Sequence, residues 1–243
     1  GREMLVAASR ASVILIDQGR IDEMSAWFGE LRRQNPERTE QLYGVEADLL
    51  ARGGELASAT LVLDEALAQM PDSSSLRYAR AMIAEQQGDL ALMEKELRKI
   101  IASEPENATA INALGYTLAN RTRRYEEAYE LISMALALEP NEPAILDSMG
   151  WVLYRQGNYE AALDYLTRAY AAFPDPEVAA HLGEVLWVSG DTDNALKVWQ
   201  GGLMKDPDNA VLVETLERLQ VSAAELGLDG NRPPAEKTPE PTP

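Results

Sequence analysis

Six prolines cut this chain into nearly equal lengths. Pro36, Pro71, Pro105, Pro140, Pro174 and Pro207 are separated by 35, 34, 35, 34 and 33 residues. Proline lacks the backbone donor and clashes with the preceding turn, so such residues stop helices rather than sit inside them. Glycines keep the same pitch at Gly19, Gly54, Gly88, Gly157 and Gly190, with one doubled step of 69 residues between Gly88 and Gly157. The missing rung falls in Asn120-Arg121-Thr122-Arg123-Arg124, where one extra residue replaces the glycine turn. Ala59, Ala128, Ala162 and Ala195 form a third series, and Gly115, Gly150 and Gly183 a fourth. Four series at one period mark a chain of structural repeats.

Each repeat reads as helix, turn, helix. From Pro143, the residues Leu146, Met149, Gly150 and Leu153 recur at helical spacing, Gly157-Asn158 interrupts, and Ala162, Leu166, Ala169 and Tyr170 resume. That spacing gives each helix one buried face. Gly150 and Ala162 are small where the two helices of a pair must approach closely. Asp89, Asn158 and Asp191 each follow a turn glycine, where a side-chain oxygen caps the next helix. Pro143 and Pro176 open first helices, where a missing N–H costs nothing.

The predicted architecture is all-α: one solenoid over 1–226, with repeats at about 5–38, 39–73, 74–107, 108–142, 143–176 and 177–209. Val211, Val213, Leu216, Leu219 and Val221 predict an amphipathic capping helix over 209–226. The Pro-rich segment 227–243 is expected to be disordered, having too little apolar surface to bury. At the other end, Met4, Leu5, Val6, Val13, Ile14, Leu15 and Ile16 surround a first helix at 4–17 almost completely. A terminal capping helix should have a polar outer face. This one reads as an interior helix without its upstream neighbour, and self-association through it is expected. Gly1-Arg2-Glu3 shows neither an initiator Met nor a signal peptide, so the chain is expected to have begun further upstream.

Composition removes several functions. Lys and Arg number 22 against 40 Asp and Glu, a net charge of −18. Duplex nucleic acid takes its affinity from cations on phosphates, so no nucleic-acid partner is expected. No apolar run reaches the ~18–20 residues of a membrane-spanning helix, and no membrane insertion is expected. The absence of Cys rules out disulfides, thiolate zinc sites and Cys nucleophiles. One histidine, His181, is too few for a His-based metal site or a convincing triad, and phosphate-loop, dinucleotide and zinc-protease patterns are absent. No metal, cofactor or catalytic residue is expected. His181 and Glu184, three apart, read as an ordinary helix-surface pair, and Arg121, Arg123 and Arg124 as a solvated basic turn.

The pattern Leu146, Met149-Gly150, Leu153, Ala162, Leu166, Ala169 and Pro174 resembles the tetratricopeptide repeat (TPR) family, with weaker copies toward the N-terminus. The resemblance implies a right-handed superhelix whose first helices line a concave face. Family geometry then places Tyr116, Trp151 and Glu184 at one groove position and Tyr154 and Trp187 three residues further on, with Asn112, Asn120, Asp147 and Arg155 nearby. Aromatics among polar groups in a concavity suit peptide binding. The alternative is that these rings pack between neighbouring helices. Trp199 falls at a second-helix core position. A chaperone-type carboxylate clamp would need groove lysines that this chain lacks.

A narrower resemblance rests on Asn112-Ala113-Leu114-Gly115-Tyr116, on Asp147-Ser148-Met149-Gly150-Trp151 with Tyr154-Arg155, and on Ala179 through Trp187. These look like exported TPR lipoproteins of Gram-negative bacteria, above all the outer-membrane adaptors of periplasmic carboxyl-terminal-processing proteases. That likeness implies a non-enzymatic scaffold, held at the outer membrane by an N-terminal lipid. It would dock a serine protease of that type and present cell-wall hydrolases to it. An assembly or chaperone-like factor for other envelope proteins is the alternative.

Overall fold

A computed structural model describes residues 2–227, with side chains from Ser9 onward. Those residues form thirteen α-helices and no strand. In order they are α1 (Arg2–Asp17), α2 (Ile21–Gln34), α3 (Thr39–Arg52), α4 (Leu56–Gln69), α5 (Ser74–Gln86), α6 (Leu90–Ser103) and α7 (Ala108–Arg121). There follow α8 (Tyr125–Leu138), α9 (Pro143–Arg155), α10 (Tyr159–Ala172), α11 (Pro176–Val188), α12 (Thr192–Lys205) and α13 (Ala210–Arg218), with a 3₁₀ turn at Pro36–Arg38. The helices pair as the prolines and glycines predict. Two compact units divide within α7, one running to Leu114 and the other starting at Gly115.

The turn glycines are chemically required. At the end of α9, Gly157 has φ +84°, a conformation that costs a residue with a Cβ ~1–2 kcal/mol. Its N–H donates to Tyr154 O and the next N–H, of Asn158, donates to Leu153 O, both at 2.9 Å. Those bonds close the helix's last carbonyls. Asn158 Oδ1 then accepts from Ala161 N at 3.3 Å and starts α10. Asp89 and Asp191 cap α6 and α12 in the same way.

The glycine-less turn between α7 and α8 is held by side chains instead. Thr122 Oγ1 donates to Leu118 O at 2.5 Å and accepts from Arg124 N at 3.0 Å. From α9, Arg155 donates to Asn120 O at 3.4 Å and to Tyr125 Oη at 2.9 Å.

In the first unit, Met24, Phe28, Leu42, Leu50, Leu63 and Leu76 form a buried core, on which Leu15 and Ile16 of α1 pack. Val13 and Ile14 are 51% and 57% exposed. Met4, Leu5 and Val6 lie outside the described side chains. Two buried carboxylates are matched by cations: Glu46 pairs with Arg32, and Glu96 with Arg77 at 2.8 Å, Arg80 at 3.0 Å and Lys99 at 3.3 Å.

In the second unit the small residues mark close helix approach. A Cβ on Gly150 would lie 2.5 Å from Leu166 Cγ, and one on Gly115 2.7 Å from Ile132 Cγ1. On Gly183 it would lie 2.1 Å from Nε1 of Trp199. Trp199 is fully buried, as its core position predicts, and donates to Ala180 O at 3.4 Å.

The capping helix is shorter than the expected 209–226. It ends at Arg218, because Gln220 takes φ +58° and the N–H groups of Gln220 and Val221 bond back to Glu217 O and Leu216 O. The chain then turns, and Leu226 packs with Trp199, Leu212 and Leu216. The tail from residue 228 lies outside the described residues.

Candidate functional site

Eight of the nine expected groove residues, all but Asn112, belong to the second unit. Three of those eight, Tyr116, Asp147 and Trp151, converge on a residue outside that set, His181. Its side chain is buried, as is that of Glu184, so the expectation of an ordinary helix-surface pair is wrong. Imidazole Nδ1 lies 2.9 and 3.0 Å from the two oxygens of Asp147, and Nε2 lies 3.4 Å from Tyr116 Oη. The ring stacks on Trp151 at 4.2 Å between centroids and 25° between planes. Tyr116 Oη also donates to Glu177 Oε1 at 2.9 Å. Burial disfavours the imidazolium, but the charge and hydrogen bond of Asp147, helped by Glu177 and Glu184, more than offset it. The His181 pKa is held above the ordinary histidine value.

A second cluster lies on the same helices. Glu184 accepts from Tyr154 Oη at 3.0 Å and from Arg218 of α13 at 2.5 Å. Burial, then the charge and hydrogen bond of Glu184, push the Tyr154 phenol upward. The rings continue outward: Trp151 to Tyr154 at 5.2 Å, and Tyr154 to the exposed Tyr159 at 5.6 Å.

The expected open groove contacts must therefore be sorted. Asp147, Trp151 and Glu184 are only 6%, 6% and 2% exposed, because they pack against one another's neighbours across successive first helices. Trp187 is half-buried, 5.5 Å from Trp199. Arg155 braces the α7–α8 turn through the main-chain carbonyl of Asn120, whose side chain takes no part in that bond. Tyr116 and Tyr154 are half-buried with committed hydroxyls. Asn112 lies in the first unit, its Oδ1 buried and without a hydrogen-bond partner among the described residues.

His181, Glu177 and Arg218 were missed by sequence reasoning. A usable signal existed for the first: His181 stands 34 residues after Asp147, at the same position of the next repeat. Among the described residues no group of three acidic or histidine side chains is placed to hold a metal ion, and no helix is long and apolar enough to cross a membrane.

The helix pairs agree with comparison to known proteins. A family model for the tetratricopeptide repeat matches residues 45–92 and 148–210. These are tetratricopeptide repeats. The TPR repeat-containing protein PA4667 of Pseudomonas aeruginosa is 49% identical over 184 residues, 76% of this chain and 31% of that protein. The type IV pilus assembly protein PilF of the same species is 27% identical over 137 residues, 55% of this chain and 54% of that one. The chain thus spans about a third and about half of these two relatives. A solved thermophilic TPR protein of Thermus thermophilus shares the fold, with a TM-score of 0.66 at 21% identity, over 75% of this chain and all of that one.

Proposed function

We propose that this TPR chain is a non-enzymatic adaptor that docks a carboxyl-terminal-processing serine protease and presents cell-wall hydrolases to it. We place it in the periplasm, tethered to the outer membrane. TPR proteins bind protein partners. What supports the narrower reading is the run of first-helix residues at 112–116, 147–155 and 179–187, whose resemblance to the exported adaptors includes the aromatic and polar side chains. On this reading Tyr116, Asn120, Tyr154, Arg155 and Trp187 offer partner contacts in the second unit, above a support of Asp147, Trp151 and Glu184. Asn112 offers its amide in the first.

The test is direct binding. Immobilised chain is exposed to the purified protease, to a hydrolase, and to both. Retention of both together supports the adaptor; retention of neither removes it. Trp187→Ala should weaken capture more than tenfold, as loss of an aromatic anchor costs ~2 kcal/mol or more. A second reading, an assembly factor for other envelope proteins, is favoured by the similarity to PilF. It gains if envelope assembly proteins bind where the protease does not. We also propose self-association through α1, for which Val13 and Ile14 are the exposed large apolar side chains among those described. Sedimentation should show concentration-dependent association that Ile14→Glu weakens; a monomer at all concentrations would refute it.

A further inference from the structure

In a solenoid each repeat contacts only its neighbours. The second unit departs from that rule where Tyr116, on α7, reaches past the next repeat to Glu177 and His181 on α11. His181 is held from α9 at the same time, by Asp147 on its edge and Trp151 on its face. One imidazole thus joins three successive first helices.

The hydrogen bonds along this path require a particular protonation state. Nδ1 faces a carboxylate, which only accepts, so Nδ1 carries a proton. Tyr116 has one hydroxyl proton, and Glu177, another acceptor, takes it at 2.9 Å. The remaining contact, Nε2 to the Tyr116 oxygen at 3.4 Å, is then a bond only if Nε2 also carries a proton. The relay closes as Asp147, imidazolium, Tyr116 and Glu177 in series. With a neutral ring, Tyr116 can serve Nε2 or Glu177 but not both. Asp147 would also lose its counter-charge in a site that is only 6% exposed, and a buried charge without a partner is strongly unfavourable.

We propose that Asp147, His181 and Tyr116 form a proton-operated latch that holds α7, α9 and α11 together, closed over Trp151 while His181 is an imidazolium and released when it is neutral. The surrounding groups favour the closed state. Asp147 comes from α9, Glu177 and Glu184 lie on α11 itself, and Arg218 of α13 and Tyr154 of α9 act through Glu184. α10 brings Ala169, with Tyr165 and Tyr170, to the cluster that holds Val178 of α11, and α12 brings Trp199 to the one that holds Ala180. The latch is independent of the partner's identity. It implies that partner access to Trp151 rises as pH climbs through the His181 midpoint.

His181 is the only histidine in the chain, so imidazole NMR on the unmodified protein reports on it without ambiguity. Its midpoint should lie above the ordinary ~6.5. Across the same midpoint, solvent exchange of the Trp151 indole N–H should accelerate roughly tenfold to a hundredfold, beyond the exchange's intrinsic pH dependence, as expected for losing a charge-assisted hydrogen bond. Tyr116→Phe keeps the ring but removes the hydroxyl. It should lower the midpoint and separate the two transitions. A midpoint at or below ~6.5, or a raised midpoint with unchanged Trp151 exchange, would overturn the latch.

Discussion

His181 shows how much one side chain's meaning depends on what the fold brings to it. Helical spacing placed it on a surface; the repeat register, which puts it opposite Asp147, places it in a core. Trp151 shares that history. Its position in the repeat was legible, but whether an inward-facing ring stays open or is covered depends on a neighbour 30 residues further on, His181. Trp151→Ala should therefore cost ~3–5 kcal/mol of folding stability, as for other buried large aromatics; a melting temperature close to that of the parent would return Trp151 to an open groove. The linkage of His181 has a definite sign. Its folded-state pKa is raised, so the stability it contributes is complete below the unfolded value of ~6.5 and disappears as pH rises through the folded value. Thermal unfolding followed from slightly acid to alkaline pH should decline over that window, and His181→Gln should remove the decline. Glycines test the packing side of the same question. Gly183→Ala would drive a Cβ into Trp199 and should cost about 1–3 kcal/mol or more. Gly44→Ala in α3, with nothing within 4 Å, should stabilise by roughly 0.5–1 kcal/mol. Equal melting temperatures for the two variants would show that α11 and α12 are not packed as closely as the geometry states.

At the level of elements, the sequence was read most accurately where local chemistry acts alone. Turn glycines, first-position prolines and Asx caps need no distant partner, and Gly157, Pro143 and Asn158 occupy the predicted roles. The end of α13 was misread because a glutamine, not a glycine, adopts the left-handed cap at Gln220. Apolar spacing beyond Leu219 looked helical, but Leu226 is recruited to the core from a turn. The α7–α8 turn was legible as an anomaly and not as a solution, since Arg155, one repeat later, supplies the brace. Asn158→Ala should cost ~1 kcal/mol, as for other caps. Arg155→Ala should instead leave global stability little changed while amide exchange rises locally at residues 120–125. Unchanged exchange there would mean that Thr122 alone holds the turn.

For the molecule as a whole, composition excluded whole classes of chemistry, but it could not say where the opposing charges meet. The buried carboxylates Glu46 and Glu96 each find arginine, so part of the 40-residue acidic complement is neutralised inside the first unit. The whole chain still carries a net charge of −18, which repels itself in the compact state. Salt acts on these two populations in opposite directions. Screening within about 8–10 Å at moderate ionic strength weakens attraction between exposed pairs such as Arg98 and Glu94, yet those contribute little. It scarcely reaches the enclosed pairs, whereas the long-range repulsion is relieved throughout. The melting temperature should therefore rise on going from low to moderate NaCl, by roughly 2–4 °C for each kcal/mol of repulsion removed from a chain this size. A protein partner with a basic docking face would show the reverse kinetic dependence, since electrostatic steering speeds association and is lost in salt. Stability rising while the association rate falls in one salt series would identify the acidic surface as the feature that draws the partner in. A melting temperature that falls with salt would mean that attraction between surface charges outweighs their net repulsion.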